Sequence, residues 1–181
     1  MGDKNKSDNS FFAMISRMKY IERWALMRNS LRENVCEHSL ETAVIAHALA
    51  VIGNCMLDKD YDAEHIAMLA LYHDCTEIIT GDMPTPIKYF DPKLRELYGE
   101  VETLAQEKML STLPDRLQSV YKPILVDAEA SPEWPIVKAA DTISAYMKCV
   151  KELKAGNDEF KEAHDSILAK LKTLNMPEVD M

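Results

Sequence analysis

The sequence predicts an all-α protein, a compact single-domain helical bundle. Its 181 residues include only five glycines, eleven methionines and many Ala, Leu, Glu and Lys residues that favour helix. Apolar side chains recur at the three- and four-residue spacing of an amphipathic helix, and no segment alternates as a half-buried strand does. The length and the 47% hydrophobic content suffice for one domain with a sizeable core.

The N-terminal part is predicted to be a tail followed by one helix. Residues 1–10 are polar and featureless, so we expect a disordered tail ahead of a domain that covers residues 11–181. Apolar residues at helical spacing predict a first helix over residues 11–27. The polar residues 28–34 predict a connection to the next helix.

Two further helices are predicted before the first prolines of the chain. The second covers residues 35–52 and ends near Gly53. One stripe of this helix is expected to face the core: Leu40, Val44, His47 and Val51. The third helix covers residues 63–81, starts from an N-cap at Asp62, and cannot continue through the prolines that follow.

The C-terminal half is predicted to contain two long helices and less regular segments. Asp91-Pro92 is a good cap pair for a fourth helix over residues 91–111. Four prolines between residues 114 and 135 predict an irregular region with a short helix or two. Another helix is expected over residues 136–153, and the last one reaches residue 174.

Composition restricts the class of partner. The net charge of −9 argues against a general nucleic-acid binder, which is usually basic. Apolar runs shorter than a membrane span and no recognisable secretion signal predict a cytoplasmic protein without a membrane segment. The four cysteines form no CxxC pair and are expected to be reduced thiols: Cys36, Cys55, Cys75 and Cys149. Cys75 adjoins Asp74 and could bind zinc, or be a buried apolar thiol.

One stretch differs from the acidic average. Residues 17–32 contain five cations against Glu22 alone. The cations are Arg17, Lys19, Arg23, Arg28 and Arg32. This stretch could provide a local positive field for a small anion, or it could be a solvated helix face.

Four residues of metal-ligand type lie in apolar surroundings. They are His38, the adjacent pair His73 and Asp74, and Asp141. Buried carboxylates and imidazoles need compensation, and a divalent cation supplies it. Two imidazoles and two carboxylates suit one transition ion such as Co, Mn, Zn, Fe or Ni better than Ca or Mg.

The alternative is that these residues have no common role, because a His-Asp dipeptide is frequent in proteins. Two other histidines illustrate this point. His47 is expected to be in the core or partly buried, and His65 to lie on the surface.

Longer motifs around these residues resemble a known family. The order His, His-Asp, Asp is similar to the signature of the HD-domain metal-dependent phosphohydrolases. The segments "RWALMRN", "ENVCEHSLETAVIAHAL", "ALYHDCTEIITGDMPTPIKYF" and "VKAADTISAYMKC" resemble the YfbR-like 5′-deoxynucleotidase branch of that superfamily. The resemblance covers residues 11–160, and the Arg-Trp pair and the Gly-Asp-x-Pro-Thr-Pro loop make it specific.

The resemblance implies a helical bundle with one divalent metal, usually a homodimer, that hydrolyses deoxyribonucleoside 5′-monophosphates to deoxynucleoside and phosphate. It also implies a role for each matching residue. The metal ligands are His38, His73, Asp74 and Asp141; the substrate-binding residues are Arg23, Trp24, Asp82, Met83, Pro84 and Thr85, joined by Asp74 and Asp141; the catalytic residues are Glu77 and Arg23.

The chemistry of these residue types agrees with the implied roles. Arg23 offers a planar donor fork for phosphate oxygens. Trp24 could pack against sugar or base, or simply anchor the core. Glu77 lies one helical turn from His73 and Asp74, where it could act as general base or protonate the departing 5′-oxygen; alone, it would be an exposed helix carboxylate.

Two other functions remain open from the sequence. One is an HD-domain hydrolase acting on another nucleotide phosphate. The other is a non-enzymatic helical dimer with a structural metal, whose site would be closed and would not depend on Glu77.

Overall fold

Ten α-helices form the part of the chain that the structure, a computed structural model, describes: residues 10–88 and 90–181. They are α1 (Phe11–Ile15), α2 (Val35–Met56), α3 (Ala63–Tyr72), α4 (Glu77–Thr80), α5 (Thr85–Lys88), α6 (Pro92–Ser111), α7 (Asp115–Leu125), α8 (Trp134–Lys154), α9 (Lys161–Lys172) and α10 (Pro177–Asp180). No strand occurs among these residues, so the all-α prediction is confirmed. The predicted tail falls on residues 1–9, outside the described residues, and on Ser10.

Helices α2, α3 and α8 pack against one another around an alanine-rich core. Their shared cluster includes Ala43, Ala46, Leu49, Ala50, Ile66, Leu69, Ala70, Ile136, Val137, Ala139 and Ala140. Small side chains let helix backbones approach closely. A second cluster joins α1, α6 and α7 to the start of α2, and it includes Phe11, Val35, Met109, Leu113 and Leu125.

The prediction of which residues of α2 face the core is wrong. Leu40 and Val44 are 61% and 62% exposed, and His47 is also exposed. The buried face carries smaller or polar side chains: His38, Ser39, Thr42, Ala43, Ala46, Leu49 and Ala50. Both faces of the helix contain apolar residues, and close packing against α3 and α8 selects the face with the smaller ones.

The predicted end of α2 is also too early. The helix continues to Met56, and Gly53 lies inside it. A Cβ atom at Gly53 would lie 2.6 Å from the Tyr61 ring, so this glycine permits a close approach rather than ending the helix. His65, expected on the surface, is half-buried.

The predicted first and third helices are each interrupted. Helix α1 ends at Ile15, and a single 3₁₀ turn and an isolated antiparallel bridge between Glu22 and Asn34 replace the rest of the expected helix. Helix α3 ends at Tyr72, and α4 follows a short turn. Gly81, with φ of +73°, ends α4 where the sequence predicted the end of the third helix.

The later predictions are closer to the structure. Helices α6 and α8 match the predicted segments 91–111 and 136–153 within two residues, and α7 is the helix expected in the proline-punctuated region. The third helix does not continue through the prolines, as predicted, but a separate short helix that was not predicted, α5, follows Gly81. A proline is tolerated in a first helical turn, where its missing N–H would have no partner anyway, so one turn forms around Pro86.

By length and composition, α2 could cross a membrane. This result differs from the prediction that no apolar run is long enough. In the fold, however, α2 packs against α3 and α8 and buries His38 and Thr42 at their contact, as a core helix does.

A buried ion pair holds the irregular segment after α1 against α8. The carboxylate of Glu152 accepts hydrogen bonds from Lys148 Nζ at 2.6 Å, Asn157 Nδ2 at 2.9 Å, and the backbone N–H groups of Ser30 and Leu31 at 3.0 Å. Lys148 Nζ also donates to the Leu31 carbonyl. Burial opposes the charge of Glu152, but these hydrogen bonds outweigh it and lower the pKa of Glu152 from 4.5 to about 2.

Replacing Glu152 by Gln is expected to lower the free energy of unfolding at neutral pH, because Lys148 would remain buried without its partner. The loss should be on the order of 3 kcal/mol. The folded pKa lies below the unfolded one, so the stabilisation is complete above pH 4.5 and is lost as the pH falls towards 2. Urea unfolding of the wild type and of Glu152→Gln, from neutral pH down to the acidic range, measures this difference in stability.

The exposed Glu107→Gln on α6 is the matched control and should unfold like the wild type. Equal stability of Glu152→Gln and wild type at neutral pH would contradict the anchoring role of Glu152.

Candidate metal centre and active site

Three helices bring the four predicted metal ligands to one point. His38 lies in the first turn of α2, whose start is fixed by a capping box between Asn34 and Glu37. His73 and Asp74 follow α3 directly, in the turn before α4. Asp141 lies on α8. The interruption of the third helix therefore occurs where the His-Asp pair turns towards the other two helices.

The ligand atoms of these residues face one another. His38 Nε2 lies 3.2 Å from Asp141 Oδ1 and 3.5 Å from Asp74 Oδ2. His73 Nε2 lies 3.1 Å from Asp74 Oδ2 and 3.9 Å from Asp141 Oδ1. The candidate ligand atoms of His38, His73 and Asp74 all lie within 4.8 Å of one another. One cation could therefore contact these three side chains, and Asp141 Oδ1 lies beside both imidazoles as the candidate fourth ligand atom.

The second nitrogen of His73 identifies its metal-facing atom. His73 Nδ1 donates to the Ala70 carbonyl at 2.7 Å, which leaves a lone pair on Nε2. Within the described residues, this buried Nε2 has no hydrogen-bond partner. A buried imidazole lone pair beside two carboxylates is what a divalent transition ion requires, so the residues fit such an ion.

Both carboxylates are held in the ionised form. Burial opposes ionisation of Asp74, but the neighbouring His73, His38 and Arg23 keep its pKa well below the usual range. Burial likewise opposes ionisation of Asp141, and the hydrogen bond with His38 and the charge of Lys138 lower its pKa. Two ionised oxygen donors therefore accompany the two imidazoles.

Arg23 connects the ligand group to the irregular segment before α2. Its Nη1 donates to Asp74 Oδ2 at 3.0 Å, and its Nε donates to Glu33 Oε1 at 3.1 Å. The side chain is only 12% exposed. Of the five cations between residues 17 and 32, this one enters the site, whereas Arg28 lies on the surface and pairs with Glu159.

Trp24 is held from three sides. Its backbone N–H donates to Asp82 Oδ2 at 3.2 Å, its indole Nε1 donates to Glu33 Oε1 at 3.4 Å, and its ring lies 5.3 Å from the ring of Phe160. Its φ of +61° is unusual for a large side chain and needs such support. Trp24 therefore has both a packing contact and a fixed position beside Arg23.

Glu77 begins α4, three residues after Asp74. Its Oε2 is buried and, among the described residues, has no hydrogen-bond partner. Burial and the nearby charges of Asp74 and Asp82 raise the pKa of Glu77 to about 10. It is thus a part of the site rather than the exposed helix carboxylate that the sequence left open.

The predicted nucleotide-binding loop follows Gly81. Asp82 reaches the site through its hydrogen bond with Trp24, and burial raises the pKa of Asp82. Met83 and Pro84 are half-buried, and Thr85 is exposed at the start of α5. The structure gives these three residues a place next to the site but no contact with the ligand group.

Sequence reasoning missed several residues that contact the site. Glu33 holds both Arg23 and Trp24, and Lys138 Nζ lies 3.0 Å from Asp141 Oδ2. The three-residue spacing of Lys138 and Asp141 on one helix could have indicated that pair. Cys75 is buried in the second apolar cluster, and burial raises its pKa to about 12, which agrees with the apolar-thiol interpretation.

The sequence matches a known protein family over most of its length. Residues 10–181 match the family described as 5′-deoxynucleotidase YfbR-like. A 5′-deoxynucleotidase from Photorhabdus temperata is 49% identical over 171 residues, which cover 94% of this chain and 87% of that protein.

Two solved structures have the same fold. An HD-domain phosphohydrolase from Listeria innocua superposes with a TM-score of 0.83 at 25% identity, over 94% of this chain and 83% of that one. A cyanophage S-2L HD phosphohydrolase, solved with dA and one catalytic Zn²⁺ ion, superposes with a TM-score of 0.64 at 19% identity, over 92% of this chain and 88% of that one.

Removal of a bound metal is expected to lower the melting temperature, and resupply of Zn²⁺ or Co²⁺ should restore it. A ligand at 100 times its Kd stabilises the fold by about 2.7 kcal/mol, which is roughly 5 to 10 °C for a chain of this size. His73→Ala should lose the response, whereas His47→Ala, on the exposed face of α2, should keep it. A wild type that melts identically with and without metal would argue against the centre.

Proposed function

The chain belongs to the YfbR-like 5′-deoxynucleotidase family, and we propose on this premise that it hydrolyses deoxyribonucleoside 5′-monophosphates to deoxynucleoside and phosphate. The observation that carries this proposal is the convergence of two imidazoles and two carboxylates beside Arg23, a phosphate-binding type of side chain. An anionic substrate would meet a cationic centre inside a protein whose overall charge is negative.

The cofactor is a divalent metal ion held by His38, His73, Asp74 and Asp141. The mixed nitrogen and oxygen donors favour Co, Mn, Zn, Fe or Ni. When bound, such an ion neutralises phosphate charge and lowers the pKa of a water molecule towards neutrality. Asp74 and Asp141 also contact cations that could bind the phosphate of the substrate. Arg23 contacts Asp74, and Lys138 contacts Asp141.

Arg23 binds and orients the phosphate. Its guanidinium is planar and permanently charged, and Glu33 fixes it at Nε. Its Nη1 contacts the ligand oxygen of Asp74, so a phosphate bound by Arg23 would lie next to the ligand group. A planar donor fork in a partly desolvated site stabilises the charge of the reacting phosphoryl group.

Glu77 transfers the proton. A carboxyl with a buried, unpartnered oxygen and a raised pKa holds its proton at neutral pH and can give it to the departing 5′-oxygen. To take a proton from the attacking water instead, Glu77 would first need its pKa lowered by a bound cation.

The sugar is recognised by the loop that contains Asp82, Met83, Pro84 and Thr85, together with Trp24. Pro84 restricts the backbone of the loop, and the hydrogen bond from the Trp24 backbone N–H to Asp82 connects the loop to Trp24. A rigid wall can reject a ribose 2′-hydroxyl by steric exclusion or by leaving that hydroxyl unpaired.

The cytoplasm is the proposed location. All four cysteines are free thiols, which agrees with a reducing compartment. The acidic surface agrees with a small-molecule substrate rather than nucleic acid.

A homodimer is the proposed assembly. Helix α6 exposes an apolar stripe at helical spacing: Leu94, Leu97, Val101 and Leu104, which are 36%, 49%, 46% and 64% exposed. Contiguous exposed apolar surface of this kind is typical of protein contacts.

Glu77→Gln is expected to reduce kcat by roughly 10²- to 10⁴-fold, because the amide can neither accept nor donate the required proton. Metal content and melting temperature should stay close to those of the wild type. Glu64→Gln, at an exposed position of α3, is the matched control and should retain full activity. The rate of phosphate release from dAMP is measured for the wild type, Glu77→Gln and Glu64→Gln. Full activity of Glu77→Gln would remove Glu77 from the mechanism.

Sedimentation is expected to give twice the chain mass of 20.6 kDa. Leu104→Glu on the α6 stripe should yield monomers, because a charge would have to be buried in the contact. Leu40→Glu, at a similarly exposed leucine of α2, should remain dimeric. A monomeric wild type would contradict the proposed assembly.

A further inference from the structure

The ring nitrogen of His38 that faces away from the candidate metal site, Nδ1, takes part in a series of buried hydrogen bonds. His38 Nδ1 lies 3.1 Å from Ser144 Oγ, across the contact between α2 and α8, and both side chains are about 1% exposed. Ser144 Oγ in turn donates to Glu41 Oε2 at 2.8 Å. A hydroxyl has a single hydrogen, so Ser144 can only accept from His38.

This direction of hydrogen bonding fixes the tautomer of His38. Nδ1 must carry a hydrogen, so Nε2, which faces Asp141 and Asp74, is the nitrogen that would offer a lone pair to a cation. The remaining polar neighbour of Nε2 is Thr42 Oγ1 at 3.5 Å, the outer limit of a hydrogen bond. A cation bound by His38 would therefore be held at Nε2 and would take the place of the contact with Asp141.

A charged group lies at the end of this series of hydrogen bonds. Glu41 Oε1 accepts from Lys151 Nζ at 2.8 Å. Burial opposes ionisation of Glu41, but hydrogen bonds from Lys151 and Ser144 outweigh it and lower its pKa. The carboxylate of Glu41 thus keeps the Ser144 hydroxyl pointing away from His38.

The two histidines of the site are held by different means. His73 donates to a backbone carbonyl of its own helix, which no side-chain substitution removes. His38 depends on two side chains from two helices. The orientation of the His38 ring can therefore be altered by substitutions that leave all four candidate metal ligands in place.

We propose that Ser144 and Glu41 are positioning residues that set the affinity of the metal site through His38. They fix the tautomer and ring orientation of this ligand, and the negative charge of Glu41 raises its basicity through the hydroxyl. The inference rests on the proposed metal-dependent function. Loss of such an outer partner lowers metal affinity by roughly 10- to 100-fold.

Calorimetric titration of Zn²⁺ into metal-stripped protein tests this proposal. Ser144→Ala should raise the Kd by roughly 10- to 100-fold, and Glu41→Gln, which keeps an acceptor oxygen but no charge, should raise it less. Ser39→Ala is the matched control, because Ser39 is equally buried on α2 and its hydroxyl has no partner among the described residues. The control should bind Zn²⁺ like the wild type.

Melting temperatures of the metal-free proteins separate positioning from structural damage. The proposal expects Ser144→Ala to lose affinity while its metal-free form melts close to the wild type, and Ser144→Thr to restore affinity. If Ser144→Ala does not fold, Glu41→Gln decides, since the Glu41 side chain is 27% exposed and its loss leaves the helix contact intact.

Wild-type affinity in both Ser144→Ala and Glu41→Gln would overturn the proposal while leaving the metal centre in place. A wild type that binds no Zn²⁺ or Co²⁺ would instead overturn the metal-dependent function itself, and the positioning role with it. The two failures are therefore distinguishable in one set of titrations.

Discussion

The structure depends on the burial of two carboxylates and two imidazoles at the junction of α2, α3 and α8. Such groups are costly to remove from water unless a cation or hydrogen bonds compensate them. The alanine-rich contacts of the three helices bring each imidazole Nε2 within 4 Å of an oxygen of both carboxylates. The break after Tyr72 follows from the same constraint, because an uninterrupted helix would turn consecutive side chains at His73 and Asp74 about 100° apart.

The substrate side of the site is coupled to this junction through Asp74. Arg23 contacts Asp74 and Glu33, and Glu33 also holds the indole of Trp24. The segment that carries these residues has little regular structure of its own. Between Trp24 and Glu33 it is fixed by the buried carboxylate of Glu152 on α8. Arg23, the residue proposed to bind the phosphate, is thus positioned by Glu33 and Asp74.

The sequence predicted the long helices and the ligand group, because both depend on local signals. Asp91 caps α6 as its residue type indicates, and the His-Asp pair lies within a motif longer than chance would give. The irregular segment before α2 could not be predicted, since its hydrogen bonds reach Glu152, about 120 residues later along the chain. The inward face of α2 was mispredicted for a related reason: two faces were apolar, and only the tertiary contact chooses between them. Glu33 and Ser144 lie within the segments that resemble the family, but their contacts with Arg23, Trp24 and His38 are found only in three dimensions.

Phosphate release from dAMP and from AMP, measured side by side on metal-stripped protein resupplied with Co²⁺, Mn²⁺, Zn²⁺ or Mg²⁺, tests the central claim most directly. We predict rapid release from dAMP with a transition ion, little release from AMP, and none from either nucleotide without metal. Equal release from both nucleotides would retain the hydrolase but contradict sugar recognition by the loop after Gly81. Absence of release from dAMP with every metal would contradict the proposed function.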